Sequence, residues 1–385
     1  MKPISREFRD FFVSLKLTVV LLSLSIILIF WATLAQVDLG VWGVQEKFFH
    51  AFFVLGKIPG TNVPCPVFPG GYFLGGLLLI NLLAAHIYRF KFEWKKTGIQ
   101  LTHLGVILLL VGELLTGLFQ QESQMRLEEG ETKNYSESYR DVELAVIETT
   151  DAKFNDVVAI PQAVLSDGGT LQHPKLPFQV RIRDYYPNAM LQMRDQAPNA
   201  APAVATTGIG PRVALVPLPL TYKTDERNSP AADIEIVGTE GSQGIWLVSP
   251  LLGMPQTFTY QDRTWELTLR FKRYYRPFSL NLIKFTHEKY AGTDIPKNFA
   301  SRVRLKNEDL HDDREILIYM NNPLRYSGLT FYQASFEGEH TTILQVVRNP
   351  SWVLPYVSCI LMALGLVIQF GIHLVGFIRK RTIKT

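Results

Sequence analysis

Residues 17–34 read LTVVLLSLSIILIFWATL, an apolar run that contains no charged side chain. A helix that crosses the bilayer core needs roughly 20 such residues. A secretory signal peptide is the alternative, but the run is long for the apolar part of such a peptide and no convincing small-x-small cleavage site follows it. The run therefore predicts a membrane-spanning helix that the chain retains.

Three further apolar runs indicate additional membrane spans. They cover residues 72–88, 99–119 and 352–378. Each is close to the length that a helix needs to cross the hydrocarbon core. The sequence thus predicts a membrane α-helical protein with four transmembrane helices, three before and one after a long polar segment.

Lysine and arginine cluster beside these runs, and the clusters predict the orientation. Loops rich in basic residues stay in the cytoplasm. The clusters lie before the first span, between the second and third spans, and after the fourth: Lys2, Arg6, Arg9 and Lys16; Arg89, Lys91, Lys95 and Lys96; Arg379, Lys380, Arg381 and Lys384. We therefore expect a multi-pass protein of the bacterial cytoplasmic (inner) membrane, with both termini cytoplasmic and residues 120–350 on the periplasmic side. The net charge of +4 does not suggest nucleic-acid binding.

The segment 37–70, between the first two spans, mixes aromatic residues with a few polar ones. Its stretch VWGVQEKFFHAFFVL, residues 41–55, is typical of a short helix in the outer membrane interface. The following PVFPGGYFLGG, residues 66–76, contains the proline and glycine residues of a turn that leads into the second span.

From Met125 onward, apolar and polar residues alternate with the period of two that is typical of β-strands. The clearest alternating stretches are DVELAVIE (141–148), FQVRIRDYY (178–186), TWELTLRFKRYY (264–275), ASRVRLKN (300–307) and REILIYM (314–320). Many short strands favour an extracytoplasmic all-β domain that is antiparallel and sandwich or barrel-like. We predict a three-span membrane segment (1–120), this domain (121–350), and a fourth span with a basic tail (351–385). A loop-like stretch near 190–215 suggests two lobes within the domain.

Histidine is the main candidate for a metal or haem ligand. His86, His103 and His373 each fall about one helical turn from the predicted cytoplasmic edge. Ionisable groups inside a bilayer suggest a function, and imidazole is a usual axial ligand of haem iron. A histidine near a helix end also faces headgroups without any special role, and this is our interpretation of His373. His86 and His103 flank one tight turn, so we expect them on adjacent antiparallel helices.

Other candidates leave more than one alternative open. Glu113, in the third span, is either a proton or haem-propionate contact or a partner within the helix bundle. His50 and His340 lie near the outer surface, where each either contacts a delivered ligand or has a plain surface role. Cys65 and Cys359 are far apart in sequence and either form a disulfide or stay free. With no CxxC and no CxxCH, the chain lacks a thioredoxin-like redox pair and a covalent haem site of its own.

Several stretches resemble the ResB proteins of system II cytochrome c biogenesis. They are SLKLTVVLLSL (14–24), FPGG (68–71), LLLINLLAAHIYRF (77–90), KKTGIQLTHLGVILLLVGELLTG (95–117), MRLEEGETKNYSE (125–137), PFSLNLIKFTHEKYAGTDIPKNFASRV (277–303) and NNPLRYSGLTFYQASF (321–336). They cover the membrane parts and the later half of the domain, whereas residues 150–265 match little.

This resemblance implies a role in haem transport. ResB-like proteins act with a ResC/CcsA-type tryptophan-rich membrane protein to move haem across the membrane and present it to apocytochrome c. A thioredoxin-like thiol reductant is a further implied partner, beside membrane lipids. The six tryptophans of this chain are scattered, so the resemblance is to the ResB half only. It implies a subunit that does not suffice alone as a cytochrome c haem lyase (holocytochrome c synthase).

The transmembrane haem site of the family takes a histidine from the ResB-like half. By resemblance this residue is His86, with His103 as the second choice, and the ligand is transiently bound haem b. The haem propionates would then pair with Arg89 or Lys91 at the cytoplasmic edge. Two other hypotheses stay open: a b-type electron-transfer subunit with one haem between His86 and His103, and a structural envelope scaffold.

Overall fold

The computed structural model describes most of the chain and divides it into two compact units. The described residues are 3–58, 60–61, 63–89, 93–151, 155–197, 200–222, 226–289 and 296–382. The first unit, here called the helical unit, contains residues 1–121 and 348–385 together with Tyr222. The second, here called the β unit, contains residues 122–221 and 226–347.

Six α-helices occur in the described residues, and five of them belong to the helical unit. They are α1 (Pro3–Phe12), α2 (Leu15–Val44), α3 (Gly71–Arg89), α4 (Thr97–Phe119), α5 (Gln162–Asp167, in the β unit) and α6 (Leu354–Thr382). By length and composition, four are long and apolar enough to cross a membrane: α2, α3, α4 and α6. The predicted set of four long apolar helices is therefore confirmed.

The segment after the first span differs from the expected interfacial loop. The helix α2 continues past the apolar run to Val44, across a kink at Gly40, whose φ of 69° suits glycine. A π-helical turn, Gln45–Phe49, follows directly. An aromatic side chain of this turn packs onto α2: Phe48 is buried, with its ring 5.2 Å from that of Trp31. An antiparallel hairpin, β1 (Phe53–Lys57) and β2 (Pro64–Pro69), then leads into α3.

The helices α4 and α6 are in close contact along a row of glycines. Gly98, Gly105 and Gly112 recur every seven residues on α4, so they share one face of the helix. A Cβ atom built on Gly98 would lie 2.5 Å from the carbonyl oxygen of Gly365 on α6. Small residues let helix backbones approach closely where no hydrophobic effect drives helices together. The glycine row therefore sets the spacing of these two helices.

The β unit consists of antiparallel strands, as the alternating pattern predicted. The strands are β3 (Gln121–Glu128), β4 (Thr132–Glu148), β5 (Asp156–Pro161), β6 (Gly169–Leu171), β7 (Gln179–Tyr186), β8 (Ala189–Met193), β9 (Val213–Pro217), β10 (Ala231–Gly238), β11 (Gly241–Val248), β12 (Gln256–Tyr260), β13 (Arg263–Lys289), β14 (Pro296–Asn307), β15 (Asp312–Tyr319), β16 (Leu324–Tyr326), β17 (Leu329–Glu337) and β18 (Thr341–Arg348). A ten-stranded sheet has the order β15-β14-β13-β4-β3-β18-β17-β16, with β12 on β13 and β5 on β4. A four-stranded sheet has the order β11-β10-β7-β6, and β8 pairs with β9.

Two large hydrophobic cores lie in the β unit beside a smaller cluster around Ala189, Val213 and Leu247, and the long strand β13 contributes to both large cores. The first core lies between the four-stranded sheet and one half of β4 and β13, and includes Leu144, Ile234 and Leu267. The second is enclosed by the curled ten-stranded sheet. The pairing of β4 with β13 shifts register between Phe271 and Arg273. Along β13 the contribution changes from the first core, up to Phe271, to the second core, from Phe278 onward. Residues 190–215 contribute instead to the smaller cluster.

The stretch NNPLRYSGLTFYQASF forms a hairpin whose side chains enter the second core. Ser327 and Gly328 both have positive φ, at 50° and 74°, which suits a two-residue hairpin turn. Leu324, Leu329 and Phe331 on the two flanking strands are buried. The buried face of the hairpin therefore has a structural role in this core.

Asp233 of β10 makes the stability of the β unit depend on pH. Its side chain is only 5% exposed and stands opposite Asp184 of β7. Burial, with a smaller effect from the Asp184 charge, raises the pKa of Asp233 to about 6 from an ordinary 3.8. The folded state thus binds its proton more tightly than the unfolded state. The free energy of unfolding that this bound proton contributes is fully present below pH 3.8 and is lost as the pH rises through about 6.

We expect Asp233→Asn to stabilise the β unit at pH 7.5 by up to about 3 kcal/mol, because the amide has no charge to bury. At pH 4 the variant and the wild type should unfold alike. Hydrogen exchange of β7 and β10 in the full chain, measured at both pH values, checks this result. Asp184→Asn, at the exposed partner, is the matched control and should have a much smaller effect. Equal protection of variant and wild type at pH 7.5 would contradict the prediction.

Candidate functional site

A cavity of about 580 Å³ lies between α2, α3 and α4 of the helical unit, and both predicted haem-site histidines line it. We call it the His86–His103 cavity. Its described lining is mostly apolar with a few polar groups: Val13, Leu15, Thr18, Leu22, Leu78, Asn81, Leu82, Ala85, His86, Lys96, Ile99, Gln100, His103, Val106 and Leu110. This composition is typical of sites for small ligands, which are largely apolar and carry a few polar groups that orient the ligand.

Helical periodicity explains why the two histidines reach one cavity. On α3 the lining residues recur at intervals of three to four, from Leu78 through Asn81 to Ala85 and His86. On α4 the same interval connects Ile99 with His103 and Val106. Residues with this spacing share one face of a helix. The facing stripes of α3 and α4 thus place both imidazoles on the wall of one space.

Lys96 adds a basic group to the cavity, while the roles of Arg89 and Lys91 stay predictions. Lys96, which precedes α4, lines the cavity, and its Nζ lies 3.0 Å from a carboxylate oxygen of Glu93. Arg89 is the last residue of α3, and Lys91 lies outside the described residues. Exposed ion pairs such as Lys96–Glu93 contribute little stability. An anionic group at the cavity can therefore recruit Lys96 at low cost.

Asn81 is a residue of this site that sequence reasoning missed. Its side chain is 3% exposed and connects α3 to the junction of α1 with α2. The Thr18 hydroxyl donates to Asn81 Oδ1 at 2.6 Å, while Asn81 Nδ2 donates to the carbonyls of Phe12 at 2.6 Å and Ser14 at 3.2 Å. A lone asparagine in an apolar run was the available signal, because a polar side chain among helices needs partners.

We expect Asn81→Leu to loosen α1 and the start of α2 by about 1–3 kcal/mol, because three hydrogen bonds are lost at nearly constant side-chain volume. Limited trypsin cleavage after Arg9 measures this opening. A double-mutant cycle with Thr18→Val isolates the Asn81–Thr18 bond. Additive effects of the two substitutions would show that the bond does not couple these helices.

The remaining membrane candidates lie apart from this cavity. His373 of α6 is not among its lining residues, and its Nε2 lies 2.9 Å from Nε2 of Gln369. Cys65 lies in β2 and Cys359 in α6, and both are free thiols. Glu113 and His50 line a second cavity of about 820 Å³, here called the His50 cavity. Their shared cavity was not predicted from the sequence, because 62 residues separate them in the chain.

In the β unit, His340 is part of a local ion pair. Its Nδ1 lies 3.0 Å from Oε2 of Glu129. A backbone hydrogen bond from Phe285 and the His340 contact together lower the pKa of Glu129 below its ordinary value. Among the described residues, no group of three or more His, Cys, Asp and Glu side chains is arranged to hold a metal ion.

Comparison with known proteins gives two matches. The ResB-like family matches residues 256–343, which run from the start of β12 to the first residues of β18. Protein NrfI of Wolinella succinogenes is 26% identical over 298 residues. That alignment covers 76% of this chain but only 29% of Protein NrfI, so the chain spans less than a third of the relative's length.

These matches confirm the resemblance to the ResB-like family. The family match includes strands that enclose the second core of the β unit. It does not include His86 and His103, whose assignment therefore depends on the resemblance of other stretches and on the cavity that they share.

Proposed function

We propose that this ResB-like chain is one subunit of a membrane cytochrome c synthase complex, which helps to move haem across the membrane and present it to apocytochrome c. The observation that carries the proposal is the His86–His103 cavity. Two imidazoles and one ammonium group on the wall of an apolar space between membrane-type helices form a donor set suited to haem.

The size, polarity and donor groups of the cavity support haem as its ligand. Its volume of about 580 Å³ falls in the range of small-molecule sites, roughly 300–1,000 Å³. The side chains from Leu22, Leu78, Val106 and their neighbours supply apolar contacts for a porphyrin. His86 or His103 is the axial ligand of the iron in this proposal. Lys96, with Arg89 and Lys91 nearby in sequence, pairs with the propionates.

The proposed topology gives the two units different tasks. In this proposal both termini and the turn before α4 are in the cytoplasm of a bacterial cell, beside the inner membrane, an orientation that the basic clusters support. The His86–His103 cavity then accepts haem near the inner face, while the β unit is periplasmic and meets apocytochrome c. A ResC/CcsA-type partner provides the tryptophan-rich haem-handling motif that this chain lacks, and a thioredoxin-like reductant supplies the thiols of the apocytochrome in reduced form.

The second candidate function is a b-type electron-transfer subunit. It is favoured by the same observation, since two imidazoles beside one cavity are also suited to a permanent bis-histidine haem. The two functions differ in whether haem is cargo or a resident redox group. In the first case haem occupancy should depend on the partner and on export, and in the second it should be stable in the chain alone.

The proposal is tested by purifying the full chain with and without a ResC/CcsA-type partner and recording haem spectra of both. We expect haem in the complex, and a deletion strain that fails to mature c-type cytochromes. A stable, redox-cycling bis-histidine haem in the lone chain, together with normal cytochrome c maturation in the deletion strain, would overturn the proposal in favour of the b-type alternative.

A further inference from the structure

The His50 cavity lies in the same unit as the His86–His103 cavity but has different chemistry. It is formed by the end of α2, the π-helical turn, the start of α3 and the end of α4. Leu110 lines both cavities. The described lining of the His50 cavity is again mostly apolar: Gln36, Val41, Val44, Gln45, Phe49, His50, Phe52, Gly71, Tyr72, Gly75, Gly76, Leu79, Leu110, Glu113, Leu114, Gly117 and Leu118.

The His50 ring is held in place from two sides. It stacks on the ring of Tyr72, with centroids 5.6 Å apart and an angle of 14° between the planes. Its Nδ1 lies 3.1 Å from Oε1 of Glu46. Because a carboxylate can only accept, Nδ1 carries the proton of this bond, and in the neutral imidazole Nε2 is then a hydrogen-bond acceptor. His50 thus offers the cavity an oriented acceptor.

Glu113 supplies a second acceptor from another element. It lies in α4, and among the described residues that line the cavity there is no lysine or arginine to neutralise it. An ionisable side chain in a membrane-type helix without a neighbouring cation points to a functional site. The His86–His103 cavity has a basic residue, Lys96, whereas the His50 cavity has the acidic Glu113. An anionic ligand such as haem or a fatty acid is therefore disfavoured in the His50 cavity.

Two glycines open the wall of the cavity. A Cβ atom built on Gly75 or on Gly76 would meet no other atom within 4 Å. These positions leave bare backbone, against which a flat ring can lie. A suitable ligand is therefore neutral, flat and lipid-soluble, and donates two hydrogen bonds.

We propose that the His50 cavity binds a lipid quinol, whose two ring hydroxyl groups donate to Nε2 of His50 and to the carboxylate of Glu113. The apolar side chains of Leu79, Leu114 and Leu118 then contact the ring substituents and the tail. The oxidised quinone has carbonyl oxygens in place of hydroxyl groups and cannot donate, so the cavity selects the reduced form. The site is independent of the haem role proposed for the other cavity.

The test measures equilibrium binding of decylubiquinol and of decylubiquinone to the full chain in lipid nanodiscs, under anaerobic conditions. We expect saturable binding of the quinol, and binding of the quinone that is weaker by about tenfold or more, as for the loss of one or two hydrogen bonds. His50→Ala and Glu113→Leu should each weaken quinol binding by about tenfold. Gly75→Leu should block it by filling the cavity.

Gly376→Leu is the matched control, because this glycine of α6 also has no atom within 4 Å of its Cβ position and does not line the cavity. It should bind quinol like the wild type. Equal quinol affinity of Gly75→Leu and wild type would overturn the proposal, as would equal displacement by oleate or by phospholipid. Haem binding that falls in Gly75→Leu but not in His86→Ala would also overturn it, and would assign the cavity to haem.

Discussion

Replacing both His86 and His103 with alanine is expected to remove haem from the purified complex and to abolish cytochrome c maturation in a deletion strain. The two imidazoles are the only described iron-ligating side chains that line the His86–His103 cavity. Without them haem keeps only apolar contacts and its propionate pairs, so we expect haem content to fall by at least about tenfold. The pyridine haemochrome assay measures that content. Free imidazole added to the variant should restore part of the haem absorbance, since the cavity itself remains.

His373→Ala is the matched control for this experiment. The residue lies on another spanning helix, contacts Gln369 and does not line the cavity. We expect it to retain haem and maturation at wild-type levels. Wild-type haem content in the double alanine variant would show that the cavity is not the haem site. Loss of haem in His373→Ala would instead extend the site to α6.

Gly105→Leu is expected to disrupt the packing of α4 against α6 and to destabilise the protein. A Cβ atom built on Gly105 would lie 2.5 Å from Cγ of Met362 and 2.9 Å from the carbonyl oxygen of Ser358. The Ser358 hydroxyl also donates to the Gly105 carbonyl, so the helices cannot separate without losing a buried hydrogen bond. Overpacking of this kind costs about 1–3 kcal/mol or more, and the lost hydrogen bond adds to it.

This effect is measured by heating the full chain in detergent and using size-exclusion chromatography to quantify the protein that remains folded. We expect a clearly lower unfolding temperature for Gly105→Leu. Gly371→Leu, on α6, introduces the same side chain where no atom lies within 4 Å of the Cβ position. That control should unfold like the wild type. If both variants unfold alike, the glycine row does not set the helix spacing.

The histidine pair shows which part of the candidate site could be predicted from the sequence. His86 and His103 flank one short turn, so their presence on neighbouring antiparallel helices followed from sequence separation alone. Whether both stripes face one cavity depends on how α2 packs against them, which local periodicity does not encode. Lys96 and Asn81 could not be assigned to the site from the sequence for the same reason. Lys96 reaches the cavity from the turn before α4. Asn81 hydrogen-bonds to a helix more than 60 residues earlier in the chain.

The sequence by itself determined the four long apolar helices and the alternating strands, because hydropathy and side-chain periodicity are local properties. Tertiary structure alone decided where α2 ends: the residues after Gly40 remain helical, and Phe48 of the following turn packs against Trp31. It also decided that β13 contributes to two cores, and that His50 and Glu113 share one cavity. These features depend on contacts between residues far apart in the chain, and such contacts form only when the helices and sheets pack.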